Sequence, residues 1–107
     1  MMHALVAFVD ARFTDPEICL DVLTDQFNMT DYTISRLFKE AAGIGFKNYV
    51  TSKRIEYAKK LLAETDIGIA EVACKSGFMF SSHFVSTFRG SEGITPSSYR
   101  KFARVSE

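Results

Sequence analysis

The sequence is poor in cysteine and proline, and it contains no long apolar run. Two cysteines, Cys19 and Cys74, are too few for a disulfide framework or a zinc cluster, which fits a reducing cytosol. No run approaches the ~18 apolar residues that span a bilayer, so we expect a cytoplasmic protein without a membrane partner. Ten phenylalanines and only two prolines favour packed helices over a disordered tail.

Catalytic motifs are also missing from the sequence. It has no glycine-rich phosphate loop, and its two histidines and two cysteines are scattered instead of paired at zinc-binding spacing. A nucleophile pair of Cys74 and His83 stays open at this point, although no carboxylate or glycine-rich loop frames it. We therefore expect no metal, no cofactor and no enzymatic activity.

The net charge is zero, which is unusual for a nucleic-acid-binding protein until the chain is divided. Residues 1–31 hold one basic and six acidic side chains, whereas residues 32–107 hold twelve basic and seven acidic ones. Such an asymmetry can produce a basic face on a neutral molecule. The distribution permits DNA binding without demonstrating it.

A motif near the middle of the chain is repeated fifty residues later. The matching positions are Phe38-Lys39 with Phe88-Arg89, Gly43-Ile44 with Gly93-Ile94, and Tyr49 with Tyr99. Further upstream the offset falls to forty-nine, which places one inserted residue in a turn of the second copy. An internal repeat of this period indicates one supersecondary unit that is used twice.

Helical periodicity runs through nearly the whole chain and predicts an all-α fold of about seven helices. Five helices are predicted over residues 1–12, 20–27, 46–64, 69–76 and 80–89. Thr30 is the predicted N-cap of a further helix, and Thr95-Pro96 begins the last one. The repeated unit is thus a short helix, a tight turn and a second helix, which is the helix-turn-helix arrangement. Two αα-hairpins that only pack would show the same periodicity.

The division that we predict is a first helix-turn-helix unit over residues 1–45, a linking helix over 46–64, and a second unit with a C-terminal helix over 65–107. The linking helix would be roughly 28 Å long. Successive accessible faces of the major groove lie ~34 Å apart. Such a helix can therefore hold two DNA readers at about the spacing of adjacent groove segments.

Particular residues within both copies distinguish this arrangement from two packed hairpins. In the second half they are Ala73, Gly77-Phe78, Ser82, Phe84, Phe88-Arg89, Gly93, Thr95-Pro96 and Tyr99-Arg100. In the first half they are Arg36-Leu37-Phe38-Lys39, Gly43, Arg54, Ala58 and Leu61-Leu62. With these residues, about positions 4–104 resemble the DNA-binding domain of the AraC/XylS family of bacterial transcription regulators.

The resemblance implies a homeodomain-like fold in which two helix-turn-helix units read adjacent major-groove segments of double-stranded DNA. Family members usually activate transcription through RNA polymerase, so a nucleoid-associated activator with that partner is expected. Most also carry a sensor or dimerisation domain, for which this chain has no room. We therefore expect either a stand-alone regulator or the C-terminal half of a longer protein. The segment is then expected to be monomeric, or dimeric through a missing domain.

By the resemblance, Tyr32, Ser35 and Arg36 are the base-reading residues of the first unit. Arg36 could bridge guanine O6 and N7, a pairing that discriminates by ~1–3 kcal/mol. A salt bridge to Glu40 is the alternative for Arg36. Tyr32 could contact a thymine methyl group or a phosphate, or it could close the hydrophobic edge of the unit.

The second unit departs from the family pattern, although Ser81, Val85 and Ser86 are its expected base readers. Met79 stands where a short polar cap is usual, and Phe80 replaces a polar group. We expect Phe80 to pack against Phe84; a protein-contact patch is the alternative. The first unit should then supply most of the sequence selectivity.

Phosphate contacts are expected from basic and hydroxyl side chains of the two units and of the linking helix. The candidates are Thr30, Lys39, Lys53, Arg89, Thr95, Ser97 and Lys101. Arg54 and Arg100 are expected to brace helices instead. A function of another class also fits the acidic first 31 residues: a helical protein-interaction module whose DNA readout has decayed.

Overall fold

Seven α-helices make up the computed structural model, which describes residues 2–105. They are α1 (Met2–Asp10), α2 (Leu20–Phe27), α3 (Asp31–Ala42), α4 (Phe46–Glu64), α5 (Ile69–Ser76), α6 (Ser81–Glu92) and α7 (Pro96–Val105). No strand occurs within those residues, so the all-α prediction is confirmed. None of the helices found there has the apolar length that a bilayer crossing requires.

Two helices end at different residues from those predicted. The helix α1 stops at Asp10 instead of Arg12, because its last turn tightens and the Arg12 amide donates to the Val9 carbonyl at 2.9 Å. The helix α6 begins one residue later than predicted and continues to Glu92, where Gly93 ends it in the left-handed region at φ 82°. The predicted start at Met1 lies outside the described residues.

The chain packs as two compact units, and the boundary between Lys53 and Arg54 lies inside α4. In the first unit α1 and α2 both pack against α3, and in the second α6 packs against α5 and α7. The buried core of the first unit consists of Leu5, Val9, Ile18, Leu23, Ile34, Phe38 and Val50. The buried core of the second consists of Ile55, Ala58, Leu62, Val72, Ala73, Phe78, Phe84 and Phe88.

The turn between α2 and α3 is short and fully specified by its residues. Asn28 ends α2 in the left-handed conformation at φ 54°, which asparagine tolerates better than most side chains. Thr30 is the N-cap of α3, as predicted, and its Oγ1 accepts a hydrogen bond from the Thr33 amide at 3.2 Å. These two residues orient α3 and bury Ile34 and Phe38 at its inner face.

The corresponding turn between α5 and α6 is one residue longer. Gly77 ends α5 at φ 102°, and Phe80, not Met79, is the N-cap of α6. A phenylalanine has no acceptor to offer, so this cap makes no side-chain hydrogen bond. Phe80 is 66% exposed, which contradicts the expectation that it packs against Phe84. The inserted residue at 79 leaves Phe78 as the turn residue that enters the core.

In each unit a polar contact ties α4 to another helix. In the first unit the Tyr49 hydroxyl donates to Asp10 Oδ1 at 2.6 Å, joining α4 to α1. Burial and this hydrogen bond raise the pKa of Tyr49 to about 12. In the second unit Lys59 Nζ lies 3.1 Å from Glu92 Oε1, and the bond to Glu92 raises the pKa of Lys59.

Arginines from α7 bind the C-terminal end of α4. Arg100 Nε donates to the Leu62 carbonyl at 3.1 Å, which confirms that Arg100 braces a helix. Arg104 forms an ion pair with Asp66 and donates to the Thr65 carbonyl. These guanidinium groups satisfy carbonyls that have no partner within α4 and lie at the negative end of its dipole.

Candidate nucleic-acid interface

The exposed face of α3 carries a single stripe of side chains that can bind DNA. Tyr32, Ser35, Arg36 and Lys39 occupy positions i, i+3, i+4 and i+7, so they lie on one side of the helix. All of them are exposed, Tyr32 to 76%. The structure therefore brings the three predicted base readers of the first unit together with one predicted phosphate contact. Because Tyr32 is so exposed, it does not cover the hydrophobic edge of the first unit.

Arg36 has a partner on its own helix. Its Nη1 lies 3.3 Å from Glu40 Oε1, and the two side chains are 52% and 51% exposed. Ion pairs this open stabilise a helix by only about 0.3–0.5 kcal/mol. The salt bridge that the sequence offered as an alternative is thus present, but it is too weak to prevent Arg36 from reaching a base.

The second unit presents an equivalent stripe on α6. Ser82, Val85, Ser86 and Arg89 lie fifty residues after the four side chains of the α3 stripe and have the same spacing. They belong to an open groove of about 860 Å³ whose lining residues are Ser81, Ser82, Val85, Ser86, Arg89, Gly90 and Thr95. The groove, hereafter the α6 groove, brings together three predicted base readers and two predicted phosphate contacts.

Ser82 and Gly90 line this groove without having been predicted to bind DNA, and Ser82 belongs to the α6 stripe. In the sequence Ser82 is one of the residues that carry the family resemblance. The signal that could have identified it was the repeat itself, since Ser82 stands fifty positions after Tyr32. Adding the repeat offset of fifty to each position of the first unit pairs Tyr32 with Ser82, not with Ser81.

The N-terminal end of α7 lies at the rim of the α6 groove. Thr95 Oγ1 accepts from the Ser98 amide at 3.2 Å and is 3.1 Å from Ser98 Oγ, so Thr95 is the N-cap of α7. Because Pro96 has no amide hydrogen, the first amide of α7 that can donate a hydrogen bond belongs to Ser97, an exposed residue. Lys101 follows Ser97 at i+4 on the same exposed face.

The two remaining phosphate candidates lie elsewhere in the first unit. Thr30 is exposed at the start of α3, with its hydroxyl engaged by the Thr33 amide as described above. Lys53 lies on α4 with its Nζ 3.9 Å from Asp10 Oδ1 and 5.5 Å from the centre of the Tyr49 ring. Neither residue belongs to the α3 stripe.

Cys74 and His83, the pair that the sequence leaves open for catalysis, lie on two different helices, α5 and α6. His83 packs edge-on against the Phe78 ring, with the ring centres 5.6 Å apart, and Cys74 is an exposed residue of α5. Among residues 2–105 no three histidine, cysteine or carboxylate side chains are grouped as metal ligands would be.

A model of the helix-turn-helix domain family matches residues 23–101, which include both turns and both stripes. The chain belongs to the AraC-type helix-turn-helix family. It is 37% identical over 90 residues to the uncharacterised HTH-type transcriptional regulator YtdP of Bacillus subtilis, a match that covers 84% of this chain and 12% of YtdP. The chain therefore spans a small part of that relative's length.

Two solved protein domains have the same fold as this chain. The C-terminal domain of the response regulator yesN from Fusobacterium nucleatum is 32% identical, with a TM-score of 0.87 over 92% of this chain and 95% of that domain. The DNA-binding domain of AdpA, solved in complex with a target DNA, is 24% identical, with a TM-score of 0.91 over 99% of this chain and 95% of that one. The AdpA likeness concerns the fold alone.

Proposed function

We propose that this chain is the sequence-specific DNA-binding domain of a bacterial transcription regulator, with α3 and α6 as its two recognition helices. The observation that carries the proposal is the pair of equivalent stripes. Each follows a short helix and a left-handed turn, lies at i, i+3, i+4 and i+7, and ends in a basic side chain, Lys39 or Arg89. A helix that follows such a turn is the element that enters the major groove in helix-turn-helix proteins.

The relatives support this proposal by what their names state. YtdP is named as a transcriptional regulator, and the AdpA domain is described in complex with a target DNA. Membership of the AraC-type family makes double-stranded DNA the expected partner of the same helices in this chain. Activation through RNA polymerase is a further part of the proposal, and transcription in vitro from a promoter that carries the selected site would test it.

The two units contribute unequally in this proposal. The α3 stripe offers Arg36 for a bidentate contact to guanine, with Tyr32 and Ser35 beside it. The α6 stripe offers short side chains, and its charge comes from Arg89 at the far end. Phosphates would be bound by Thr30, Lys39 and Lys53 in the first unit and by Arg89, Thr95, Ser97 and Lys101 in the second.

Selection from a library of random duplexes about 30 base pairs long tests the proposal, since the grooves repeat every ~10 base pairs. Two enriched blocks about one turn apart are the expected result. Arg36→Ala should then abolish the preference at one position of one block while circular dichroism shows an unchanged fold. Lys60→Ala, an exposed change on α4 outside both stripes, is the matched control and should keep that preference.

A second candidate function rests on Met79 and Phe80, which are adjacent and 62% and 66% exposed. Exposed apolar side chains in contact are typical of protein-binding surfaces, so a helical interaction module is the rival function. DNA binding through several phosphates weakens steeply as salt rises, whereas an apolar protein contact does not. A duplex affinity that is independent of salt, with no enriched sequence, would refute the DNA-binding proposal and favour the rival.

A further inference from the structure

Apart from Arg89, the residues that line the α6 groove have no side chain suited to bidentate hydrogen bonding with a base. Bidentate recognition of guanine or adenine needs arginine, lysine, asparagine or glutamine. The first three positions of the α6 stripe are Ser82, Val85 and Ser86. A serine hydroxyl donates one hydrogen and rotates freely, so it discriminates poorly among base edges. Arg89 lines the groove as well, but it lies in the last turn of the helix and is assigned above to a phosphate.

Val85 is the one aliphatic side chain among the residues that line this groove. It is partly buried and packs against the core cluster of the second unit. In a helix, valine has one strongly preferred χ1 rotamer, so its methyl groups are held in position by both the backbone and the core. The methyl groups of Val85 are therefore held in place in the groove, between the small hydroxyl side chains of Ser82 and Ser86.

The major groove of DNA offers one apolar group that the Val85 side chain can contact. Thymine carries a methyl group at C5, whereas the other bases present donors and acceptors at their major-groove edges. Small neighbours at Ser82 and Ser86 leave space for a methyl group to approach Val85. An apolar contact also avoids burying a base donor or acceptor without a partner, which would weaken binding.

We propose that Val85 reads the 5-methyl group of thymine, so that the α6 half of the DNA site is selected by an apolar contact. The proposal rests on the proposed function, because it assigns the base chemistry that the second recognition helix prefers. The two halves of the DNA site would then be recognised by different chemistry. The α3 half is recognised through hydrogen bonds to base edges, and the α6 half through contact with a thymine methyl group.

Replacing thymine by deoxyuridine tests this directly, because only the 5-methyl group is removed. In the selected duplex each thymine of the block assigned to α6 is replaced in turn, and affinity is measured by fluorescence anisotropy. We expect one replacement to weaken binding by about fourfold, the effect of withdrawing one buried methyl group. The block that loses its preference in Arg36→Ala is the α3 block, which identifies the other.

The variant Val85→Ala should bind the thymine and deoxyuridine duplexes equally. Ser35→Ala changes the equivalent position of α3 and is the matched control, so it should retain the difference within the α6 block. Thermal unfolding establishes that both variants are folded. The wild-type comparison does not depend on either variant.

Three results would overturn the inference while leaving DNA binding in place. They are equal affinity of the wild-type protein for thymine and deoxyuridine, an α6 block without thymine, and a thymine preference that survives Val85→Ala. In the last case the methyl group acts through the DNA itself, by stacking. Failure to enrich any sequence would instead refute the proposed function, and the inference with it.

Discussion

Removing the negative charge of Glu40 should strengthen DNA binding, because Glu40 opposes it in two ways. Its carboxylate pairs with Arg36 at 3.3 Å, so the pair must open before Arg36 reaches a base. As a residue of the recognition helix, it also brings an acidic group towards the phosphates. The substitution Glu40→Gln keeps the shape of the side chain and removes both effects.

The size of the effect follows from the exposure of the pair. Both side chains are about half exposed, and the acid lies C-terminal to the base, which is the weaker orientation on a helix. Opening the pair therefore costs about 0.3 kcal/mol. Repulsion between a carboxylate and a phosphate about 7 Å away in water adds about 0.6 kcal/mol. Together these predict two- to fivefold tighter binding, at most about 0.5 kcal/mol of lost stability, and a smaller gain at high salt.

Fluorescence anisotropy with the selected duplex at two salt concentrations measures the gain in DNA affinity, and urea unfolding measures the loss of stability. Glu71→Gln is the matched control, because Glu71 forms an exposed i,i+4 pair with Lys75 at 3.9 Å on α5, outside both stripes. An affinity for Glu40→Gln that equals that of the control, or falls below the wild-type value, would refute the assignment of the α3 stripe to DNA.

Three further predictions concern stability. Cys19 is an N-cap without a side-chain hydrogen bond, so Cys19→Ser should raise the free energy of unfolding by about 0.5–1 kcal/mol in a urea titration. The Ser76 hydroxyl is buried without a partner in the described part of the chain, so Ser76→Ala should raise it by about 1 kcal/mol. Because folding raises the pKa of Tyr49, its stabilising contribution is complete below pH 10.0 and should be lost as the pH rises to about 12. Asp10→Asn should reduce that loss, as seen by thermal unfolding at pH 8 and pH 11.

The helices were predictable because the signals that define them are local. Thr30, Gly43 and Pro96 mark helix ends by their own chemistry, and the structure uses each of them in that role or next to it. The long helix α4 contributes to two cores in turn. Val50 is buried in the core of the first unit, whereas Ile55 is buried in that of the second. A single helical period cannot represent a helix that changes partners part-way along.

The candidate site could be predicted as far as the resemblance and the repeat extend. Both stripes fall where the sequence placed the reading helices, and Lys39 and Arg89 complete them. The exposure of Phe80 could not be predicted, because it depends on which turn residue enters the core. Phe78 and Phe80 are equally apolar, and only packing against α6 decides that Phe78 is the buried one.

The comparison of the two units gives a physical reason for their different chemistry. Both stripes are mounted on helices whose inner faces are anchored by aromatic and aliphatic side chains, Ile34 and Phe38 in α3 and Phe84 and Phe88 in α6. Because these anchors lie on the inner faces, the side chains at the outer positions can change without altering how each helix packs on its core. Arg36 and Ser86 occupy equivalent positions, so Ser86→Arg should give the α6 half of the DNA site the guanine contact proposed for Arg36. If Ser86→Arg adds a guanine preference to the α6 block without altering the fold, the repeat is one framework that carries two separable reading surfaces. A variant that folds but gains no preference would mean that the anchors hold the two helices differently against the DNA.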